Sequence, residues 1–348
     1  MTQPLPMEDL EFIQQRTECL WEELRGQRIF ITGGTGFFGV WLLESLLHAN
    51  RAGGLRLHAT VLSRNPEAFR RAWPHLALNS AITLVGGDVR SFVFPEGEFK
   101  VVIHAAAETY ARAGSGGTVD SLGTILGGTE RVLQFAARHG TEKLLLTSSG
   151  AVYGPQPEQL THLREDYPGA PDPLRAGSAY AEGKRAAEAL CVAYGEQYGM
   201  ACKIARCFAF VGPLLPLDAH FAIGNFIRDA MRGKAICING DGTARRSYMY
   251  SADLAIWIWT LLLRAPAQQA FNVGSAQSVS ILELANTVRA AIGSKAEVRV
   301  AKAAVPGAPL QQYVPCVEKA ALELGLRCEV SLENAIRKTA AWHGWVSR

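Results

Sequence analysis

Tyr180 and Lys184 stand four residues apart in SAYAEGKRAAE, residues 178–188. On a helix that spacing puts both side chains on one face. An ammonium beside a phenol stabilises the phenolate and draws its pKa from about 10 toward working pH. Such a pair can take a proton from an alcohol or return one to a carbonyl oxygen. Of the nine tyrosines in the chain, Tyr180 alone has a lysine four positions on. About thirty residues upstream, Ser149 closes the apolar run LLLTSS. A serine at the carboxyl end of a strand points into the crevice where doubly wound sheets take ligands, and its hydroxyl can bond the same oxygen that Tyr180 protonates. The competing reading of Ser149 is a turn serine bonded to its own backbone.

A second constellation lies near the start of the chain. IFITGGTGFFGVWLLESLL, residues 29–47, holds four glycines within seven positions. Gly34, Gly36 and Gly39 fit G-x-G-x-x-G, while Gly33, Gly36 and Gly39 fit G-x-x-G-x-x-G. In both frames an apolar strand runs through a glycine turn into a helix, which is where a dinucleotide pyrophosphate binds. The amides from Thr35 through Phe37 and Phe38 and the helix dipole favour its charge. Asp88, in GGDVR, can accept from an adenine amino group with the Val89 amide beside it, or serve as a helix cap. After the second strand comes Ser63-Arg64, with no acid. A carboxylate there would bind a ribose 2′-hydroxyl; an arginine pairs with a 2′-phosphate. NADP is therefore expected, with NAD possible.

These residues need a scaffold. RIFITGG, LHATVLS, ITLVGGDV, VVIHAAA, KLLLTSS and CKIARCFAFVG read as six strands. Helical patterns over 38–49, 119–138 and 178–198 separate some of them, and a loosely amphipathic helix over 8–25 precedes the first. Apolar strands joined by crossover helices specify an α/β fold with a doubly wound parallel sheet, the Rossmann fold. From about residue 214 helices, short strands and turns mix, which suggests a smaller α/β substrate lobe. The expected domains are an N-terminal helical extension over 1–26, a dinucleotide-binding domain over 27–213 and a substrate lobe over 214–348, with some strand exchange between the last two. The Pro-rich stretch over 167–177 reads as a loop into the following helix.

Composition narrows the function. The chain has 348 residues, 48% hydrophobic, with Lys+Arg 35 against Asp+Glu 32. That balance gives no basic stripe for nucleic acid and no membrane-binding face. LAIWIWTLLL at 254–263 is too short to span a bilayer and reads as a buried helix. Seven cysteines without a Cys-x-x-Cys pair suggest core thiols in a reducing cytoplasm and no zinc site. No secretory signal is evident at the N-terminus. His104 and His220 fall near the expected crevice and are read as core or loop histidines.

With these motifs in place, the chain resembles the extended short-chain dehydrogenase/reductases of the nucleotide-sugar epimerase/dehydratase group, from about residue 27 to 345. The resemblance implies the frame of Gly33, Gly36 and Gly39, and places Ser149, Tyr180 and Lys184 on catalytic positions. It also assigns Ala105, Ala106 and Phe208 to the cofactor, along with Tyr180 and Lys184. In GNFIRDAMRGKAICINGDGTARRSYMYSADLA, Asn225 and Arg246 match positions that bind a sugar-nucleotide diphosphate. Asp253 is read as a helix cap. Relatives often dimerise through the helices at 119–138 and 178–198, so a homodimer is expected.

Departures from the family pattern shape the activity. Dehydratases carry Thr-Asp-Glu and decarboxylases Thr-Ser-Glu before Val-Tyr-Gly; here Ser149-Gly150-Ala151 stands there, without a carboxylate. Ala209, Ile125 and the glutamines of APLQQYVPC also replace familiar contacts. Hydride transfer at C4 of the sugar needs no carboxylate. The leading expectation is an NADPH-dependent ketoreductase acting on a nucleoside-diphosphate 4-keto-6-deoxyhexose. An NAD-dependent 4-epimerase is the alternative. Dehydratase, decarboxylase and a non-catalytic NADP sensor rank below them.

Overall fold

The computed structural model of the protein describes residues 2–106, 117–219 and 221–346. Its strands are β1 (Arg28–Thr32), β2 (His58–Ser63), β3 (Ile82–Gly86), β4 (Val101–His104), β5 (Lys143–Ser149), β6 (Ala201–Cys207), β7 (Phe210–Val211), β8 (Ile236–Ile238), β9 (Arg245–Arg246), β10 (Met249–Tyr250), β11 (Gln269–Val273), β12 (Val279–Ser280), β13 (Val298–Val300) and β14 (Gln312–Tyr313). Its helices are α1 (Met7–Trp21), α2 (Phe37–Gly53), α3 (Pro66–Ala72), α4 (Pro74–Ala77), α5 (Gly117–Arg138), α6 (Ala179–Tyr198), α7 (Ala222–Met231), α8 (Ser251–Arg264), α9 (Ile281–Ile292), α10 (Glu318–Leu324) and α11 (Leu332–Trp342).

Seven strands form one sheet in the order β11-β6-β5-β4-β1-β2-β3. β1 pairs in parallel with β2 and β4, β2 with β3, and β4 with β5. Order reverses beside β1, the switch point of a doubly wound sheet. β1 is buried from Ile29 to Thr32, as a strand covered on both faces must be. On one face Phe30 packs on Phe135 with ring centroids 4.3 Å apart and on Phe92 at 5.4 Å. Helix ends are set locally. Gly54 and Gly199 take positive φ after α2 and α6, a conformation that costs other residues more.

The chain divides into two compact units that cut across the expected linear boundaries. The first comprises Met1–Val152, Pro171–Arg206 and Ala255–Phe271; the second Tyr153–Ala170, Cys207–Leu254 and Asn272–Arg348. The first 26 residues are part of the first unit's core rather than an appendage. Leu10, Ile13, Leu20 and Trp21 are buried, and Trp21 packs edge-on against Trp259 of α8 at 4.9 Å. Within the second unit, Asn272 joins three segments. Tyr153 Oη donates to its Oδ1 at 2.7 Å, and its Nδ2 donates to Leu163 O at 2.8 Å and Cys316 O at 3.0 Å.

The sixth strand differs from its expected single run over 202–212. It ends at Cys207, and Phe210–Val211 pairs instead with β10. Phe208 N donates to Val273 O and Met249 N to Ala209 O, so the backbone changes partners at that point. The short helices α3 and α4 were not foreseen; each opens on a proline, and Asn65 Oδ1 caps α3 by accepting from Ala68 N at 2.9 Å. The apolar run at 254–263 is a buried helix as expected. All seven cysteines are free thiols. Among the described residues no helix is long and apolar enough to cross a membrane.

Candidate active site

The glycine turn follows β1 directly. Gly33 has φ +73°, and a Cβ there would strike the Ala105 carbonyl. A Cβ on Gly34 would lie 2.6 Å from Val61 Cγ1, and one on Gly39 would meet the Gly34 backbone. Packing therefore demands glycine at all three, and sterics alone do not choose between the frames. Gly36, common to both, is different. A Cβ there would meet only Gly33 O, at 3.3 Å. Its face is open, and it is the N-cap of α2, with no side-chain cap and no acid in the first turn. First-turn amides beside an open glycine face make a cradle that fits a dinucleotide pyrophosphate. Thr35, Phe37 and Phe38 are half-buried around this turn.

The neighbouring strand ends are more occupied than expected. Both Asp88 oxygens are engaged by Arg90: Oδ1 accepts from N at 2.8 Å and Nε at 2.9 Å, and Oδ2 from Nη2 at 2.8 Å. Those bonds hold the Asp88 carboxyl below its usual range, with Arg64 adding a smaller electrostatic pull. Arg90 also reaches Asp120 at 2.7 Å. Asp88 is thus the centre of an ion-pair cluster rather than a helix cap. Val89 is buried, and Gly128 leaves room for its Cγ1, which a Cβ at 128 would meet at 2.7 Å. Ser63 Oγ accepts from Asn65 N at 3.2 Å, and Arg64 is exposed. Ala105 N and Ala106 N donate to the backbone and side-chain oxygens of Thr32, at 3.1 Å and 3.2 Å.

His104 is a core histidine. Its Nδ1 lies 2.6 Å from Thr32 Oγ1 and its Nε2 3.1 Å from Thr129 Oγ1. Burial pushes its pKa down to about 3, with the Lys184 charge adding, so the ring stays neutral. His220 lies outside the described residues.

At the carboxyl end of β5, Lys184 is 3% exposed and donates to Thr147 O at 2.7 Å. This bond ties α6, and with it Tyr180, to the strand that ends at Ser149. Tyr180 is half-buried against the core that includes Ile125 and Leu146. Ser149 is buried, and its Oγ accepts from Ala151 N at 3.2 Å. The turn reading of this serine is therefore observed. It is compatible with chemistry, because accepting from Ala151 orients Oγ and leaves its proton to donate. A neighbouring network lies outside the expected residues: Ser148 Oγ donates to Glu188 Oε1 at 2.5 Å, and Glu188 is forked by Arg206. Its signal was present, since Glu188 lies four residues beyond Lys184 on the same helix stripe.

Three further expected residues belong to the second unit. Phe208 stacks on Tyr313 at 4.6 Å and neighbours Tyr153 at 6.4 Å. Asn225 Oδ1, on α7, accepts from Arg228 Nη1 at 3.0 Å. Arg246, on β9, donates from Nη1 to Arg245 O at 2.7 Å. Asp253, expected as a helix cap, lies within α8, and its two oxygens accept from Glu329 N at 3.2 Å and Val330 N at 3.1 Å, anchoring a distant loop.

Known proteins resemble this chain in sequence and fold. UDP-glucuronic acid decarboxylase 1 of Xenopus tropicalis is 30% identical over 313 residues, covering 90% of this chain and 71% of that one. A crystal structure of UDP-galactose 4-epimerase is 26% identical with a TM-score of 0.71, covering 92% of this chain and 100% of the other. DesIV, a dTDP-glucose 4,6-dehydratase from Streptomyces venezuelae solved with NAD bound, has a TM-score of 0.77 at 24% identity and covers 91% of this chain and 97% of its own. Residues 29–274 match the description "NAD dependent epimerase/dehydratase family", a span from β1 to the end of β11. The chain belongs to that family of enzymes acting on nucleotide sugars.

Proposed function

We propose that the protein transfers hydride at C4 of a nucleoside-diphosphate hexose, chiefly as an NADPH-dependent reductase of a 4-keto-6-deoxy sugar. The observation that carries this reading is the buried Lys184, bonded to Thr147 O at 2.7 Å on the helix that bears Tyr180. Residues 150 and 151 are glycine and alanine, so this stretch offers no base for abstraction at C5. The dinucleotide supplies the hydride when bound. Gly36 and the first turn of α2 would hold its pyrophosphate, and Arg64 a 2′-phosphate. Tyr180 donates its phenolic proton to the C4 oxygen, and Lys184 stabilises the phenolate that remains. Ser149, oriented by Ala151 N, donates a second hydrogen bond to the same oxygen. Arg246 and Asn225 would contact the substrate diphosphate.

A second reading is favoured by the decarboxylase relatives. A hexuronate oxidised at C4 is a β-keto acid, which loses CO2 without a base from the protein, so the missing carboxylate does not forbid it. The experiment offers purified protein three substrates: an NDP-4-keto-6-deoxyglucose with NADPH or NADH, UDP-glucuronate with NAD, and UDP-glucose with NAD. NADPH consumption with the keto sugar supports the reductase. A UDP-pentose formed from UDP-glucuronate, or an epimer formed from UDP-glucose, in the absence of that consumption overturns it in favour of the decarboxylase or the 4-epimerase.

A further inference from the structure

The stripe of α6 that carries Tyr180 and Lys184 continues by one step to Glu188. Lys184 bonds Thr147 O, and Glu188 accepts from Ser148 Oγ at 2.5 Å, so successive helix positions grip successive residues of β5. Arg206 of β6 closes the other side, with Nη2 2.7 Å from Oε2 and Nε 3.1 Å from Oε1. Glu188 and Arg206 side chains are only 11% and 17% exposed. A charge-assisted fork in such a site is strong and geometrically selective. Proton transfer makes no use of this acid, which lies roughly 12 Å along the helix from Tyr180.

We propose that Glu188 is a positioning residue: by bridging Ser148 and Arg206 it fixes the register of α6 against the carboxyl ends of β5 and β6, and so sets where Tyr180 and Lys184 stand. The inference rests on the acid–base role given to Tyr180 above. Apolar burial is non-directional, so a helix on a sheet can shift slightly without losing it. The Lys184–Thr147 bond and the bond from Arg185 Nη1 to Val152 O at 3.2 Å hold neighbouring points in the N-terminal half of α6 and leave the helix able to swing about them. A further directional contact one turn on, to the next residue of the strand, removes that freedom. Among the described residues, the charged and polar groups about Glu188 include Arg206 from β6, Ser148 from β5, Gln268 across the groove, and Lys184, Arg185 and Cys191 from its own helix. An open groove of about 410 Å³, lined by Arg185, Glu188, Val192, Ile204, Arg206 and Gln268, gives solvent access to the carboxylate from behind.

That groove makes a chemical rescue feasible. Glu188→Gln and Glu188→Ala are made in the full chain, each with and without Tyr180→Phe. Two quantities are read: steady-state kcat and KM, and the ultraviolet titration of the Tyr180 phenol without cofactor, taken as the difference between paired proteins. Glu188→Gln is expected to lower kcat about tenfold with little change in KM. Glu188→Ala is expected to lower kcat on the order of a hundredfold. Both should raise the apparent pKa of the Tyr180 phenol, and added formate should restore both readouts in the alanine variant alone. A folded alanine variant with wild-type kcat and phenol titration overturns the proposal. So does a loss of kcat with an unshifted titration and no formate rescue, which marks a purely structural residue. Should Tyr180→Phe alone retain full turnover, the acid–base reading fails instead, while the phenol titration still reports on the clamp.

Discussion

The two ends of the seven-stranded sheet each hold a buried lysine, and the two are used differently. At the carboxyl end Lys184 is 3% exposed and spends its charge on a backbone carbonyl at 2.7 Å, on the helix that carries Tyr180. Toward the amino end Lys203 of β6 is 2% exposed. Burial holds its pKa down to about 8, with the Lys143 charge adding. Around it the charges neutralise one another: Lys143 pairs with Glu23 and reaches Leu263 O, while Arg264 reaches Glu23 at 3.1 Å and Cys19 O at 3.2 Å. Those two carbonyls close the C-terminal ends of α8 and α1, where cations offset the helix dipoles. One end sets its buried cation on a strand carbonyl beside Tyr180, and the other consumes its cations in joining helices to strands. Equal burial therefore does not make the two lysines alike; their surroundings separate them.

The largest effect that could break this contrast is on turnover. Lys184→Met should lower kcat by about 10²–10⁴, and Lys203→Met should leave kcat unchanged. Similar kcat losses in both variants would erase the distinction. The next effect is on stability. The folded-state pKa of Lys203 lies below its ordinary value of 10.5, so the unfolded chain binds its proton more tightly. The cost is fully present below pH 8 and fades as pH rises toward 10.5. Lys203→Met should accordingly stabilise the protein by about 2 kcal/mol at neutral pH, with the gain shrinking across that window in urea titrations. No gain at neutral pH would mean that the amino end already compensates this charge.

Smaller effects sharpen the carboxyl end. Gly36→Ala should fold normally yet weaken dinucleotide binding about tenfold by calorimetry, since the new methyl enters the open cradle. Gly39→Ala should instead reduce folded yield, because its Cβ collides with the Gly34 backbone. Smallest of all, Arg64→Ala should weaken NADP relative to NAD by about fivefold at most, as suits an exposed ion pair. Equal loss for both dinucleotides would remove the 2′-phosphate from the account.

Much of the carboxyl end was legible because its signals are local. A phenol and an ammonium four apart, a glycine turn between strand and helix, and an apolar histidine each follow from spacing along one or two elements. The rest depends on residues far apart in sequence. Arg90 claims Asp88 together with Asp120, thirty residues on, and Asp253 holds Glu329 and Val330. The sixth strand breaks at Phe208 where its N turns to Val273 O and the next carbonyl, Ala209 O, accepts from Met249 N. Trp21 reads as one more apolar residue of a leading helix until Trp259 is seen against it. None of these pairings leaves a periodic trace.

The weaving of the chain bears on how the protein is made. The first unit includes residues 255–271, and the outer strand of its sheet is β11. A nascent polypeptide released at residue 213 would lack Trp259 over Trp21 and would leave β6 as a bare, adhesive margin. Synthesis must run past residue 271 before that sheet can be completed, so a holding chaperone has most to offer during the emergence of 207–254.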